Sequence, residues 1–469
     1  MSTKKTRFCP SPTGLMHLGN LRTALLNFLL GNKSKGSFVL RIEDTDKERS
    51  KIKFAESICE DLLWMELNWD EGPRIEGPEE SYFQSERKQI YESFYEKLIK
   101  KNLIYPCFAT EEELKVIRRN QLAAGKPPRY PGVWTHASEE DIEKELRKGS
   151  KYVYRFRMPK NETIQFIDLL KGEQKFDSDD LDDFIVRKED GSPTFMFANS
   201  IDDALMGINL VMRGDDHLSN TPRQIALLKA LELDTPEYIH IALFTGDDGA
   251  PLSKRNGSLS VQELKKKGYF PLAVSNYLAR TGHTISDNEL KSLKNLSKEF
   301  DIKKISTSPS RFDLNQLNFW QKQVVDGLSI EGLKEWLDPS LEGLIPKDIN
   351  KDLFLSIVRD NIIFPRQAAV IAQSLLNDEM LLNKDTKDLI KSLDNDFFIK
   401  AAEVIENNWP DWQSAMKELS SFSGKKGKDL FLPIRVVLTG DKAGPELDHI
   451  ANLLGKERVI NRLNQVVNL

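Results

Sequence analysis

One strand, one tight turn and one helix within the first 30 residues constrain this chain more than any other stretch. Thr6-Arg-Phe-Cys9 reads as a strand, Pro10-Ser-Pro-Thr-Gly14 breaks it, and Leu21 to Leu30 repeats apolar residues at helical spacing. Between the break and the helix stand His17, Gly19 and Asn20. A glycine at a helix N-terminus leaves backbone N–H groups facing outward, and an imidazole beside them donates to an oxygen anion, so the turn reads as a phosphate site. Roughly 240 residues later Leu252-Ser253-Lys254-Arg255-Asn-Gly257 offers a hydroxyl and two cations beside a glycine. Alone, a His-x-Gly turn is more often a plain connection and a Ser-Lys-Arg run more often a solvated loop. Their order and separation carry the reading.

The rest of the chain organises around that unit. Up to about residue 100, strand-like Ser37 to Ile42 alternates with helical Ile52 to Met65 and Gln89 to Lys100, as in parallel βα units. From Asn102 to Glu189 the pattern changes to a Gly/Pro loop, an alternating strand at Tyr152 to Arg157 and an acidic run from Asp177 to Asp183, which reads as an insertion. The βα pattern returns over Thr194 to His240, with Ile208 to Met212 as a buried strand, and beyond about residue 250 the chain is mostly helical. The expected fold is therefore an α/β N-terminal half, a Rossmann-like parallel sheet split by an α+β insertion, followed by an all-α C-terminal region. Ligands of such sheets sit beyond the carboxyl ends of the strands, where Arg213 and Asp215 fall.

Lys and Arg total 67 against 72 Asp and Glu, a net charge of −5, so a uniformly basic nucleic-acid binder is excluded and any such partner must meet local patches. Lys265 to Lys267, Lys303-Lys304 and Lys425 to Lys428 are the candidates, though each alone reads as a solvated run. No stretch of about eighteen apolar residues predicts a membrane span. The three cysteines are widely spaced, which fits a reducing cytoplasm.

The paired phosphate motifs resemble those of class I aminoacyl-tRNA synthetases, and the blocks between them resemble the bacterial type of glutamyl-tRNA synthetase. These blocks are Arg7 to Gly14, Phe38 to Asp46 with Glu43, Leu67 to Pro73, Tyr82 to Arg87, Asp190 to Thr194, Arg213 to His217, Asn220 to Ile225, the Ser-Lys loop, and Leu432 to Arg435 with Gly440. They follow the family's order along nearly the whole chain. The resemblance implies residues 1–100 and 191–250 as the split catalytic domain and 101–190 as a connective insertion contacting the acceptor end of tRNA. It further implies 251–320 as a stem-contact region carrying the Ser-Lys loop, and 321–375 and 376–469 as helical anticodon-binding domains.

The same resemblance implies a ligase that joins glutamate to tRNA-Glu through a glutamyl-adenylate, with ATP, Mg²⁺, glutamate and tRNA-Glu as partners, no membrane, a monomer and a cytoplasmic location. His17 and Lys254 would be catalytic, and Thr13, His17, Gly19, Asn20, Ser253, Lys254 and Arg255 would bind ATP. Arg7, Ser11, Glu43, Phe195, Asn199 and Arg213 would bind glutamate, the arginines gripping carboxylates with their planar forks and Glu43 taking the ammonium group. By themselves Arg7 and Glu43 read instead as an ion pair at strand ends. Aromatic and basic residues of the C-terminal third, Trp320, Arg359, Phe364, Arg366 and Arg435, are candidates for contact with splayed bases.

The chain departs from the family's pattern in three respects. Pro251 stands where a lysine usually opens the Ser-Lys loop, and Phe195 stands where tyrosine is usual. Cys107-Phe-Ala109 and Trp134-Thr-His136 keep one thiol and one imidazole where relatives can hold zinc, so no structural zinc and no protein-bound metal is expected. The resemblance leaves open an enzyme that also charges tRNA-Gln, and the first two departures leave open a catalytically weak tRNA-binding paralogue. A small-molecule adenylyltransferase and a shorter relative that glutamylates a modified base of tRNA-Asp share the histidine turn, but have little use for the long helical C-terminal third.

Overall fold

The computed structural model describes residues 2–467 except 47, 76, 247, 251, 253–258, 378, 379 and 381. The chain divides into two compact units, Met1–Leu264 with Val274–Leu314, and Lys265–Ala273 with Asn315–Leu469.

In the first unit, β1 (Lys5–Phe8) runs parallel to β2 (Ser37–Leu40), with helix α1 (Leu18–Lys33) as the crossover between them. Helix α1 turns ten residues inward, Leu18, Leu21, Leu25 and Leu29 among them, which is the burial that apolar residues three and four apart produce. After α2 (Ile52–Trp64) and α3 (Lys88–Lys100), strand β3 (Ile104–Cys107) opens the inserted segment. Helices α4 (Glu111–Ala123) and α5 (Glu139–Arg147) follow, and neither has a buried residue. Strand β4 (Val153–Phe156) then pairs antiparallel with β3. The hairpin of β5 (Thr163–Asp168) and β6 (Gly172–Asp177) comes next, and β7 (Phe184–Arg187) closes the β3-β4-β7 sheet.

The β5–β6 hairpin does not stay within the inserted segment. Helix α6 (Phe195–Leu205), strand β8 (Leu210–Gly214), helix α7 (Thr221–Ala230) and strand β9 (Glu237–Ile241) return to the parallel pattern, and β5 joins β9 with Asp168 opposite Tyr238. The resulting sheet has the order β6-β5-β9-β8. Asn209 donates its N–H to the Lys5 carbonyl at 3.3 Å, which brings β8 beside β1. The carboxyl ends of β1, β8 and β9 thus open on one edge.

The second unit is helical, from Leu314–Asp326 through Leu447–Val467. Its core gathers Leu333, Phe354, Phe398, Leu419, Ile434 and Leu463 among others, all without exposed surface. Gly268 sits there at φ +88°, with Trp336 Nε1 donating to its carbonyl at 2.9 Å and the ring of Pro365 2.6 Å from where a β-carbon would stand, so only glycine fits. Among the described residues no helix is long and apolar enough to cross a membrane.

Candidate active site

A cleft of about 580 Å³ lies where β1, β8 and β9 end, a size suited to a small-molecule ligand. Ten of the residues singled out in the sequence line it: Arg7, Ser11, Thr13, His17, Gly19, Asn20, Glu43, Phe195, Asn199 and Arg213. Ser253, Lys254, Arg255 and Pro251 lie outside the described residues. Their flanks are defined: Leu252 lines the cleft and donates its N–H to the Phe244 carbonyl, while Ser260 bridges to His17 and Val261 N–H bonds the Met16 carbonyl at 3.0 Å. Asp215 does not line the cleft but pairs with Lys171 at 3.1 Å.

The end of the cleft at the start of α1 is built from backbone. His17 is the N-cap of α1 in an extended conformation and makes no capping hydrogen bond, so the first N–H groups of the helix find no side-chain partner there. A β-carbon on Gly19 would sit 3.1 Å from His17 Nδ1, so any larger residue would push the imidazole aside. His17 Nδ1 is itself buried with no hydrogen-bond partner among the described residues, and burial lowers the pKa of the ring, which leaves it neutral at pH 7.

The other end is a chain of buried polar groups. Arg7 and Glu43 do not pair with each other as their sequence positions suggested, because each has a better-placed partner. Arg7 Nε donates to both Asp203 oxygens at 3.2 and 3.3 Å, and Arg41 bridges Asp203 Oδ1 at 2.7 Å and Glu43 Oε1 at 3.0 Å. Glu43 Oε1 also accepts from Asn199 Nδ2 at 2.7 Å, and Asn199 Oδ1 accepts from Gln224 at 3.0 Å. Gln224 Oε1 takes a hydrogen bond from Arg213 Nη2 at 2.6 Å. Glu43 Oε2 is buried and has no partner among the described residues.

Among the described residues no hydrogen bond uses the two Nη groups of Arg7 or Nη1 of Arg213. Burial raises the pKa of Glu43, opposed by Arg41, whereas burial is outweighed at Asp203 by Arg7 and Arg41, which hold its carboxyl below the usual range. Cys9, beside them, is pushed up to about 12 by burial and is an unreactive thiol. Phe195 lies against His217 with ring centroids 5.4 Å apart.

The inserted segment gives Cys107 and His136 different surroundings: the thiol is buried 3.2 Å from the Tyr130 hydroxyl, while His136 is exposed. In the second unit Trp320 is 3 % exposed, so it is a core residue and not a platform for bases. Phe364 packs edge-on against Tyr269 at 4.8 Å, Arg359 contacts Asp360, Arg435 donates to the Pro445 carbonyl, and Arg366 is exposed.

Comparison with known proteins decides the family. A model of the family described as tRNA synthetases class I (E and Q), catalytic domain, matches residues 4–319, and one described as an anticodon binding domain matches residues 363–467. The chain belongs to the glutamate–tRNA ligases of class I. It is 45% identical to glutamate–tRNA ligase 2 of Nitrosococcus oceani over 464 residues, covering 99% of this chain and 98% of that one. It is 46% identical to glutamate–tRNA ligase 2 of Coxiella burnetii over 461 residues, covering 98% and 99%. Among solved structures, a glutamate tRNA ligase of Elizabethkingia meningosepticum in complex with its amino acid superposes with a TM-score of 0.88 at 28% identity, covering 100% of this chain and 99% of that one. Class I synthetases use ATP, the ligase family joins glutamate to tRNA, and the chain carries an anticodon-binding domain after its catalytic one.

Three residues of the cleft's buried network, Arg41, Asp203 and Gln224, escaped the sequence reading as site residues, as did His240, whose Nε2 lies 3.2 Å from Arg213 Nε. Arg41 stands two residues before Glu43 in a strand-like run, and His240 interrupts the apolar Tyr238 to Ile241; a charged or polar residue in a buried strand was the available signal.

Proposed function

We propose that this protein activates glutamate with ATP in the cleft and transfers it to the 3′ end of tRNA-Glu, with the following division of labour. The α-carboxylate of glutamate attacks the α-phosphate of ATP in line, pyrophosphate leaves, and the protein's part is positioning and charge stabilisation. Thr13, His17, Gly19 and Asn20, with the α1 N-terminus, receive the triphosphate from one side. Ser253, Lys254 and Arg255 receive it from the other, a role consistent with Leu252 and Ser260 flanking them at the cleft. Mg²⁺ arrives with ATP and is held by phosphate oxygens and water. Glu43 and Asp216, the carboxylates lining the cleft, do not form a cage for it, since Glu43 is tied to Arg41 and Asn199.

Glutamate presents two carboxylates and one ammonium group. Arg7 and Arg213 take the carboxylates, Glu43 takes the ammonium, Asn199 holds Glu43 in place, Ser11 offers a hydroxyl at the rim and Phe195 packs against the aliphatic part. The observation that carries this reading is the set of unused polar atoms on one cleft: the Nη groups of Arg7, Nη1 of Arg213 and Oε2 of Glu43. Two cations and one anion match the three charges of the substrate. On this reading the enzyme is a cytoplasmic monomer without structural zinc, since Ala109 and Trp134 offer no ligand atoms beside Cys107 and His136. Glutamate-dependent exchange between pyrophosphate and ATP, measured with and without tRNA, tests it: exchange is expected with tRNA, and none under either condition would favour a tRNA-binding paralogue without activity.

A further inference from the structure

We propose that Asp168 and His240 are positioning residues for glutamate, Asp168 fixing the tautomer of His240 and His240 fixing the guanidinium of Arg213 in the orientation that grips a carboxylate. The inference deepens the reading above and rests on Arg213 being a carboxylate clamp.

Asp168 ends β5, where the hairpin joins β9, and neither its side chain nor that of His240 has exposed surface. Its carboxylate accepts four hydrogen bonds: Oδ1 from the N–H of Leu170 at 2.9 Å and of Lys171 at 2.8 Å, Oδ2 from His240 N at 3.0 Å and His240 Nδ1 at 2.7 Å. A carboxylate so placed only accepts, so the proton of the ring sits on Nδ1. Burial lowers the pKa of His240 against the opposing pull of Asp168, so the imidazole is neutral and Nε2 carries a lone pair. Arg213 Nε, which can only donate, lies 3.2 Å from that Nε2, and the Thr221 hydroxyl lies 3.0 Å from it. The other tautomer would set N–H against N–H. Arg213 Nη2 is held separately by Thr221 Oγ1 at 2.8 Å and Gln224 Oε1 at 2.6 Å, so the fork is fixed at two of its three nitrogens and Nη1 is left for substrate. The hairpin of the inserted segment thereby contributes to the amino-acid end of the cleft.

The test uses the full chain with tRNA and saturating ATP, comparing the parent with Arg213→Gln, His240→Ala and His240→Gln. Glutamine can keep an acceptor near the position of Nε2. His240→Ala should raise KM for glutamate by about tenfold or more while KM for ATP stays within about twofold, and His240→Gln should recover most of the loss. A folded His240→Ala variant with parental KM for glutamate, or one in which both KM values rise together, would overturn the positioning role. If Arg213→Gln also leaves KM for glutamate unchanged, the clamp reading fails and takes this inference with it. If Arg213→Gln raises KM but His240→Ala does not, only the inference falls. Should His240→Ala not fold, ¹⁵N-histidine NMR of the unaltered chain reads the tautomer directly: a protonated Nδ1 with a bare Nε2 supports the proposal, and the reverse overturns it.

Discussion

Replacing Asp203 with asparagine removes one negative charge from the centre of the site while keeping the side chain's shape. The carboxylate lies between two guanidinium groups, 2.7 Å from Arg41 Nη1 and 3.2 Å from Arg7 Nε, and is ionised because both arginines hold its pKa down against burial. Arg41 is fully buried and Arg7 is 3 % exposed, so solvent cannot replace the lost charge. Breaking a buried pair by removing one partner costs about 3–5 kcal/mol. Here two cations lose their partner, but Glu43 still bonds Arg41 and the asparagine oxygen still accepts, so about 4 kcal/mol is expected. The assay is urea unfolding of the full chain followed by circular dichroism, with KM for glutamate measured under native conditions. We expect the unfolding transition of Asp203→Asn to move to lower urea and KM for glutamate to rise as Arg7 loses its orientation, with KM for ATP unchanged. A stability change below about 1 kcal/mol with parental KM for glutamate would refute the claim that Asp203 organises the site.

Three further outcomes follow from the same structure. His17→Ala and Lys254→Ala should each lower aminoacylation by orders of magnitude with tRNA affinity nearly unchanged, since losing one stabilising donor costs about 3 kcal/mol in the transition state; near-parental charging by both would remove the phosphate site. His17, His217, His240 and His283 all have pKa values below the ordinary 6.5, burial being the first cause at each. The unfolded chain takes up protons near that value while the fold refuses them, so this stability is complete above the unfolded pKa and is lost as pH falls through the folded values. Asp168 and Asp203, held below 3.8, add stability that persists above that value and is lost only at lower pH still. The thermal midpoint should fall between about pH 7.5 and about pH 5.5, and an unchanged midpoint would contradict the assignment. Metal analysis of the purified chain should find no stoichiometric zinc, and about one zinc per chain would show a ligand set beyond Cys107 and His136.

What the sequence revealed and what it hid differ in kind. The β1 turn and the start of α1 were legible because prolines, Gly14 and Gly19 are local signals that read the same in any context. Arg7, Glu43 and Arg213 became candidates through resembling blocks and Asn199 through the pocket that the resemblance implies, yet their hydrogen-bond partners were not legible, because a buried ion pair has no local signature. Asp203 meets Arg7 across 196 positions, and Asp168 meets His240 across 72. The β5–β6 hairpin shows the same limit. Nothing in the local sequence of its strands announces that Asp168, the last residue of β5, joins the parallel sheet. Trp320 erred the other way, since an aromatic residue at a domain edge looks the same whether it packs inward or faces a base.

On the function proposed above, Arg7, Arg213 and Glu43 select glutamate by charge. The most direct measurement is the charging of tRNA by the purified chain with labelled glutamate and, separately, labelled glutamine, across a range of concentrations. A neutral amide would leave one buried guanidinium without its full partner, at a cost of about 2–3 kcal/mol, so kcat/KM for glutamine should be lower by about a hundredfold. Comparable charging with both amino acids, or charging with neither, would contradict the account.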